Sequence, residues 1–89
     1  MNTKEKQTNK NKNQESKINT LVLHNDNLNT FDFVIDALID ICNHEENQAH
    51  QCAVITHYTG KCEIKNGTYK NLKILKDKLL NIGLSVTID

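Results

Sequence analysis

The sequence predicts an α+β domain: a small sandwich in β-α-α-β-α-β order, with a three-stranded antiparallel sheet covered by three helices and a disordered N-terminal tail. Three observations lead there. Runs of strand character lie near residues 18–23, rich in β-branched and aliphatic residues, and near 61–65 and 84–88, which alternate with period two. Between them, apolar residues recur at helical spacing. Residues 1–17 hold no aliphatic residue after Met1. Such a segment buries too little apolar area to offset its ordering entropy, so 1–17 is expected to be a disordered extension and 18–89 the domain.

Each element has a local reason. Ile18-Asn19-Thr20-Leu21-Val22-Leu23 reads as a strand that stops at an Asn/Asp cluster. Asn25 to Asn29 is a turn-forming loop, because short polar side chains bond nearby backbone. Asn29 or Thr30 can cap a first helix of about residues 30–43, with Asp32 where a carboxylate suits the helix dipole. Its apolar stripe is Phe31, Val34, Ile35, Leu38, Ile39 and Ile41-Cys42.

Asn43 to Asn47 breaks that helix, and a second follows at about 46–57 with Ala49, Cys52, Ala53 and Ile55-Thr56 turned inward. It ends near Tyr58-Thr59-Gly60. Lys61 to Lys65 alternates with period two, placing Cys62 and Ile64 toward the core. Asn66-Gly67 is expected to be a turn, and Thr68 to cap a third helix through Tyr69, Leu72, Leu75, Leu79 and Leu80. Gly83 is its C-terminal stop, and Leu84 to Ile88 closes the domain as a strand.

Net charge is zero but unevenly placed. The tail carries Lys4, Lys6, Lys10, Lys12 and Lys17 against Glu5 and Glu15, while the domain is mildly acidic. The chain contains no arginine, which makes it a poor nucleic-acid binder, since phosphate neutralisation needs clustered cations. No run approaches the ~18 apolar residues of a membrane span, and no apolar stretch follows the N-terminal lysines as in a secretory signal. Three cysteines, an odd number, argue against a disulfide framework and for the cytoplasm.

Catalytic chemistry is poorly represented. Cys42-x-His44 and His50-x-Cys52 have metal-ligand composition, but both cysteines fall on apolar helix faces, where Cys behaves as a small hydrophobe. His44 and His50 read as part of a solvated helix connection among Glu45, Glu46, Asn47 and Gln48. Cys52 and His57 stand about 140° apart around one helix, too far for a nucleophile pair. No Gly-rich phosphate loop is present. The expectation is a protein that is not an enzyme and uses neither metal nor cofactor.

What remains is a recognition set. Asn25 and Asp26 sit between an apolar strand and an apolar-faced helix, and His57 ends the helix expected to pack on it. Carboxylate, amide and imidazole beside an apolar wall suit a small cationic group attached to a hydrophobic side chain.

Over residues 20–89 the chain resembles the ClpS family, adaptors that deliver N-degron substrates to an AAA+ Clp unfoldase. The resemblance rests on Leu23-x-Asn25-Asp26, on Thr30-x-x-Phe33-Val34-Ile35 and on His57-Tyr58-x-Gly60-Lys61. It implies that Asn25, Asp26 and His57 recognise a substrate's free α-amino group. It also implies that Asn29, Phe31, Val34, Ala53, Thr56 and Leu84 line a pocket for a bulky first side chain (Phe, Tyr, Trp or Leu). The implied partners are N-degron proteins and the N-terminal domain of a ClpA- or ClpC-like unfoldase.

Several positions depart from the family pattern. Asn27 stands where a second Asp is usual, Phe31 and Ala53 where Met is frequent, Thr56 where Val is frequent, and Lys70 where some members have Glu. The competing reading is an interaction domain of the ribosomal-stalk C-terminal type, which has no use for Asn25 and Asp26 with His57.

Overall fold

The computed structural model describes residues 17–89, so the expected disordered tail lies, Lys17 apart, outside the described residues. The chain folds as β1 (Asn19–His24), α1 (Phe31–Cys42), α2 (Glu46–Thr59), β2 (Lys61–Gly67), α3 (Tyr69–Asn81) and β3 (Ser85–Ile88). This is the predicted α+β order. The three strands form one antiparallel sheet with β1 in the centre and β2 and β3 at its edges.

Strand β1 is central because its apolar residues have two neighbours to pair with. Leu21, Val22 and Leu23 face Ile88, Thr87 and Val86 of β3 in register. Against β2 the register shifts: Leu21 pairs with Lys65 but Val22 with Glu63, which leaves Ile64 as the extra residue of a β-bulge. The core joins Leu21 and Leu23 to Leu38 and Cys42 of α1, Ala49 and Cys52 of α2, and Leu72 and Leu79 of α3. Helix α3 packs on all three strands, α2 on β2, and α1 against the other two helices.

Helix ends follow their caps. The Thr30 hydroxyl accepts the Phe33 N–H at 3.1 Å, and the Thr68 hydroxyl accepts that of Asn71 at 3.3 Å. Helix α2 stops at Gly60, whose φ of 99° is open to glycine and strained for other residues, and whose N–H returns to the Thr56 carbonyl.

Several expectations need correction. Asn66 and Gly67 are the last residues of β2, paired with Thr20 and Asn19, rather than a turn. The first strand begins at Asn19 and includes His24, and the last begins after Leu84, at Ser85. Ile55 points outward at 45% exposure, since Ala53 and Thr56 already occupy the inner face of α2. Tyr69 and Leu80 are likewise exposed on α3.

His44 is the largest departure: it is buried at 6% exposure instead of solvated. Its Nε2 lies 2.8 Å from the carbonyl oxygen of Ile64, the bulge residue. A carbonyl only accepts, so Nε2 carries the proton and donates. The left-handed turn at Asn43 (φ 58°) ends α1 and directs the chain inward at this point.

Candidate functional site

The loop between β1 and α1 is shaped by one carboxylate. Asp26 Oδ1 accepts the N–H of Leu28 at 2.9 Å and that of Asn29 at 3.0 Å, and the Asn29 side-chain amide adds bonds to Oδ1 at 3.2 Å and Oδ2 at 3.0 Å. Such Asx-type bonding is what an Asp followed by short polar residues favours. Burial pushes the Asp26 carboxyl up, but these donors from Leu28 and Asn29 outweigh it and hold its pKa below the ordinary carboxylate value.

The loop is tied to the end of α2 by the Asn25 N–H, which donates to the Gly60 carbonyl at 2.9 Å. The glycine turn that ends α2 therefore brings His57, three residues earlier, beside the Asn25-Asp26 loop. The His57 ring stands perpendicular to two aromatic neighbours. Its centroid is 5.3 Å from that of Phe31 at 89°, and 4.8 Å from that of Tyr58 at 85°. Among the hydrogen bonds of the described residues, none engages the side chain of Asn25 or the ring of His57.

These elements enclose a cleft of about 310 Å³. Its polar end holds Asn25, Asp26 and His57; its other walls are Asn29, Phe31, Val34, Ala53, Thr56 and Leu84. All nine residues singled out from the sequence are thus brought to one place. Ala53 and Thr56 reach it from the buried face of α2, where the Thr56 hydroxyl donates to the Cys52 carbonyl at 2.8 Å and so leaves no unpaired donor.

Three further residues line the cleft: Asn27, noted above as a departure from the family pattern, and Leu23 and His24, which sequence reasoning did not place there. Leu23 and His24 are the last residues of β1, and their position directly before Asn25 was the available signal. His24 is held by a 2.7 Å hydrogen bond between its Nε2 and the Thr87 hydroxyl.

The cysteines stand apart from this cleft. Cys42 and Cys52 are buried in the core. Burial first, and the adjoining Cys62 thiol second, push the Cys52 thiol far up; burial also raises Cys42, against an opposing effect of Lys65. Thiols kept protonated are weak nucleophiles and weak metal ligands. Among the described residues no group of three His, Cys, Asp or Glu side chains is arranged to hold a metal ion. No described helix is long and apolar enough to cross a membrane.

Fold and cleft together define a small α+β domain whose polar loop and apolar wall converge on one concave site. Residues 3–87 match the family described as ATP-dependent Clp protease adaptor protein ClpS, and the chain belongs to that family. A comparison with curated proteins gave no match. Among solved structures, the chain is similar to Agrobacterium tumefaciens ClpS2 bound to L-phenylalaninamide, with a TM-score of 0.71 and 19% identity over 83% of this chain and 96% of that one. The shared fold is therefore retained at low sequence identity.

Proposed function

We propose that this protein is an N-degron adaptor: its cleft binds the first residue of a polypeptide through the free α-amino group and a bulky hydrophobic side chain. The observation that carries the reading is the convergence of Asn25, Asp26 and His57 with an apolar wall in one cleft of a ClpS-family chain. The similar ClpS2 structure holds L-phenylalaninamide, a compound with a free amine and an aromatic side chain.

The chemistry is complementary. An α-ammonium presents three donors, and the Asn25 amide oxygen, an Asp26 carboxylate oxygen and a neutral His57 nitrogen are acceptors. Among the described residues Asp26 Oδ2 accepts only from Asn29, which leaves it lone-pair capacity for an ammonium. A volume of about 310 Å³ suits one side chain and its amine rather than a folded partner.

Magnitudes explain why both features are needed. Burying a Phe or Leu side chain contributes about 1.5–3 kcal/mol, and each hydrogen bond to a charged group about 1.5–3 kcal/mol. Association costs at least about 4 kcal/mol of lost freedom. The side chain alone does not offset that cost, and the bonds to the ammonium are needed with it. An internal Phe lacks the ammonium and is rejected. The adaptor then delivers the bound chain to the N-terminal domain of a Clp AAA+ unfoldase in the cytoplasm, itself performing no chemistry.

Residues 1–17 serve delivery rather than recognition in this account, because lysines and amides cannot wall an apolar pocket. A reporter beginning with Phe, incubated with a Clp unfoldase and protease, should be degraded faster when this protein is added. The same reporter beginning with Ser should be unaffected. Removal of residues 1–17 should slow delivery while leaving peptide affinity unchanged. Equal degradation of both reporters contradicts the reading.

A further inference from the structure

Asn29 is expected from the sequence to be one wall of a side-chain pocket, yet its amide does something more specific. Its Nδ2 donates to both oxygens of Asp26, at 3.2 and 3.0 Å, and also to the Gly83 carbonyl at 3.0 Å. A primary amide has two N–H bonds. One is thus shared by the carboxylate and the other is engaged by Gly83, so the side chain is saturated as a donor and fixed in orientation.

The two partners come from separate segments, Asp26 from the loop after β1 and Gly83 from the turn after α3. Asp26 belongs to the polar end of the cleft, and Gly83 directly precedes Leu84, which forms the apolar wall. Gly83 is itself set by the α3 terminus: its N–H donates to the Leu80 carbonyl, and the Leu84 N–H donates to that of Leu79. One amide therefore connects the anionic group to the wall that receives the side chain, across 54 residues of sequence.

We infer that Asn29 is a positioning residue that couples recognition of the amine to recognition of the side chain, by holding Asp26 and the Gly83-Leu84 turn at a fixed separation. It acts through Asp26 and Leu84 without itself binding the ammonium. The inference rests on the adaptor reading for its ligand, but the brace is a property of the free protein as well. The Asn29 amide also contributes to holding the Asp26 pKa down. Other titratable groups facing the cleft are His24 from β1 and His57 from α2; the contributions of α1 and of the Gly83-Leu84 segment are apolar.

The test uses the full chain and Asn29→Leu, which keeps the side chain's approximate size, makes the wall more apolar and removes both donors. Two quantities are read: the Asp26 titration midpoint of the free protein by carboxyl NMR, and the affinity for a Phe-initiated peptide between pH 3 and pH 7. A brace predicts a raised Asp26 midpoint in the variant and a low-pH loss of affinity that begins at higher pH. It also predicts peptide affinity reduced by about tenfold at neutral pH, the equivalent of one charge-assisted hydrogen bond. Asn29→Thr, which keeps one donor, should fall between variant and parent and also guards against a fold defect in the first.

If Asn29 is only an apolar wall, Asn29→Leu binds as well as or better than the parent with an unchanged Asp26 midpoint, and the inference is overturned. Failure of the adaptor reading is distinct: the parent then does not discriminate free from acetylated peptide, while the Asp26 midpoint still responds to Asn29.

Discussion

The Phe31 ring meets the His57 imidazole edge to face, with centroids 5.3 Å apart and planes at 89°. Phe31 opens α1 and His57 lies in the last turn of α2, so the contact joins the two helices among the residues that line the cleft. Perpendicular aromatic pairs are worth about 0.5–1.5 kcal/mol beyond area burial. Replacing the ring while keeping an apolar wall, as in Phe31→Leu, should free the imidazole and weaken a Phe-initiated peptide by about two- to tenfold. NMR of the His57 ring should show broader rotamer sampling. Unchanged affinity and an unchanged ring environment argue that His57 is held by other means.

Asp26 gives a pH dependence with a definite sign. Its folded-state pKa is lowered by the Leu28 and Asn29 donors, against the opposing effect of burial. A lowered carboxyl contributes stability that is fully present above the unfolded value of about 3.9 and is lost as pH falls through the folded value. Urea denaturation of the parent and of Asp26→Asn should therefore differ most near pH 6 and converge on acidification below the folded pKa. Peptide affinity should decline over the same acidic range as the carboxylate is protonated. A stability difference that grows on acidification contradicts the assignment.

Ala53 tests which wall sets the choice among Phe, Tyr, Trp and Leu. It is buried, lines the cleft and carries the smallest side chain among the cleft-lining residues. Ala53→Met adds bulk into this space and should reorder the four first residues, with effects of about 1–3 kcal/mol and the largest loss for Trp. Competition binding with four peptides differing only at the first residue reads this directly. The same ranking in parent and variant removes Ala53 from the specificity wall.

His44 separates stability from binding. Its Nε2–H satisfies the Ile64 carbonyl at the bulge, away from the residues that line the cleft. His44→Ala should cost about 2–4 kcal/mol, from the orphaned carbonyl and the space left in the interior. The midpoint of urea unfolding should fall, while the affinity of the remaining folded protein for peptide stays as in the parent.

Helices and strands were legible because each carries its own period and its own punctuation, as α3 does with Thr68 at its start and Gly83 past its end. Asn25, Asp26 and His57 were legible because two short segments place polar groups beside apolar faces, whereas the six pocket residues came only from the resemblance to the ClpS family. The bulge was not: Lys61 to Lys65 alternates cleanly, and only pairing with Leu21 and Val22 reveals that Ile64 is extra. His44 was misjudged because its neighbours are polar, while a left-handed Asn43 turns it inward. The Asn29 amide bond to Gly83 was invisible because it forms only after α3 and β3 have closed the sheet, which no local pattern records.

The central claim is that Asn25, Asp26 and His57 read a free α-amino group beside an apolar pocket. The most direct measurement compares two peptides identical but for N-terminal acetylation, each beginning with Phe, titrated into the full-length protein. Acetylation removes the positive charge and two of the three donors, so the free peptide should bind more than tenfold tighter, and Asp26→Ala should abolish most of that difference. Equal affinity for the two peptides contradicts the account.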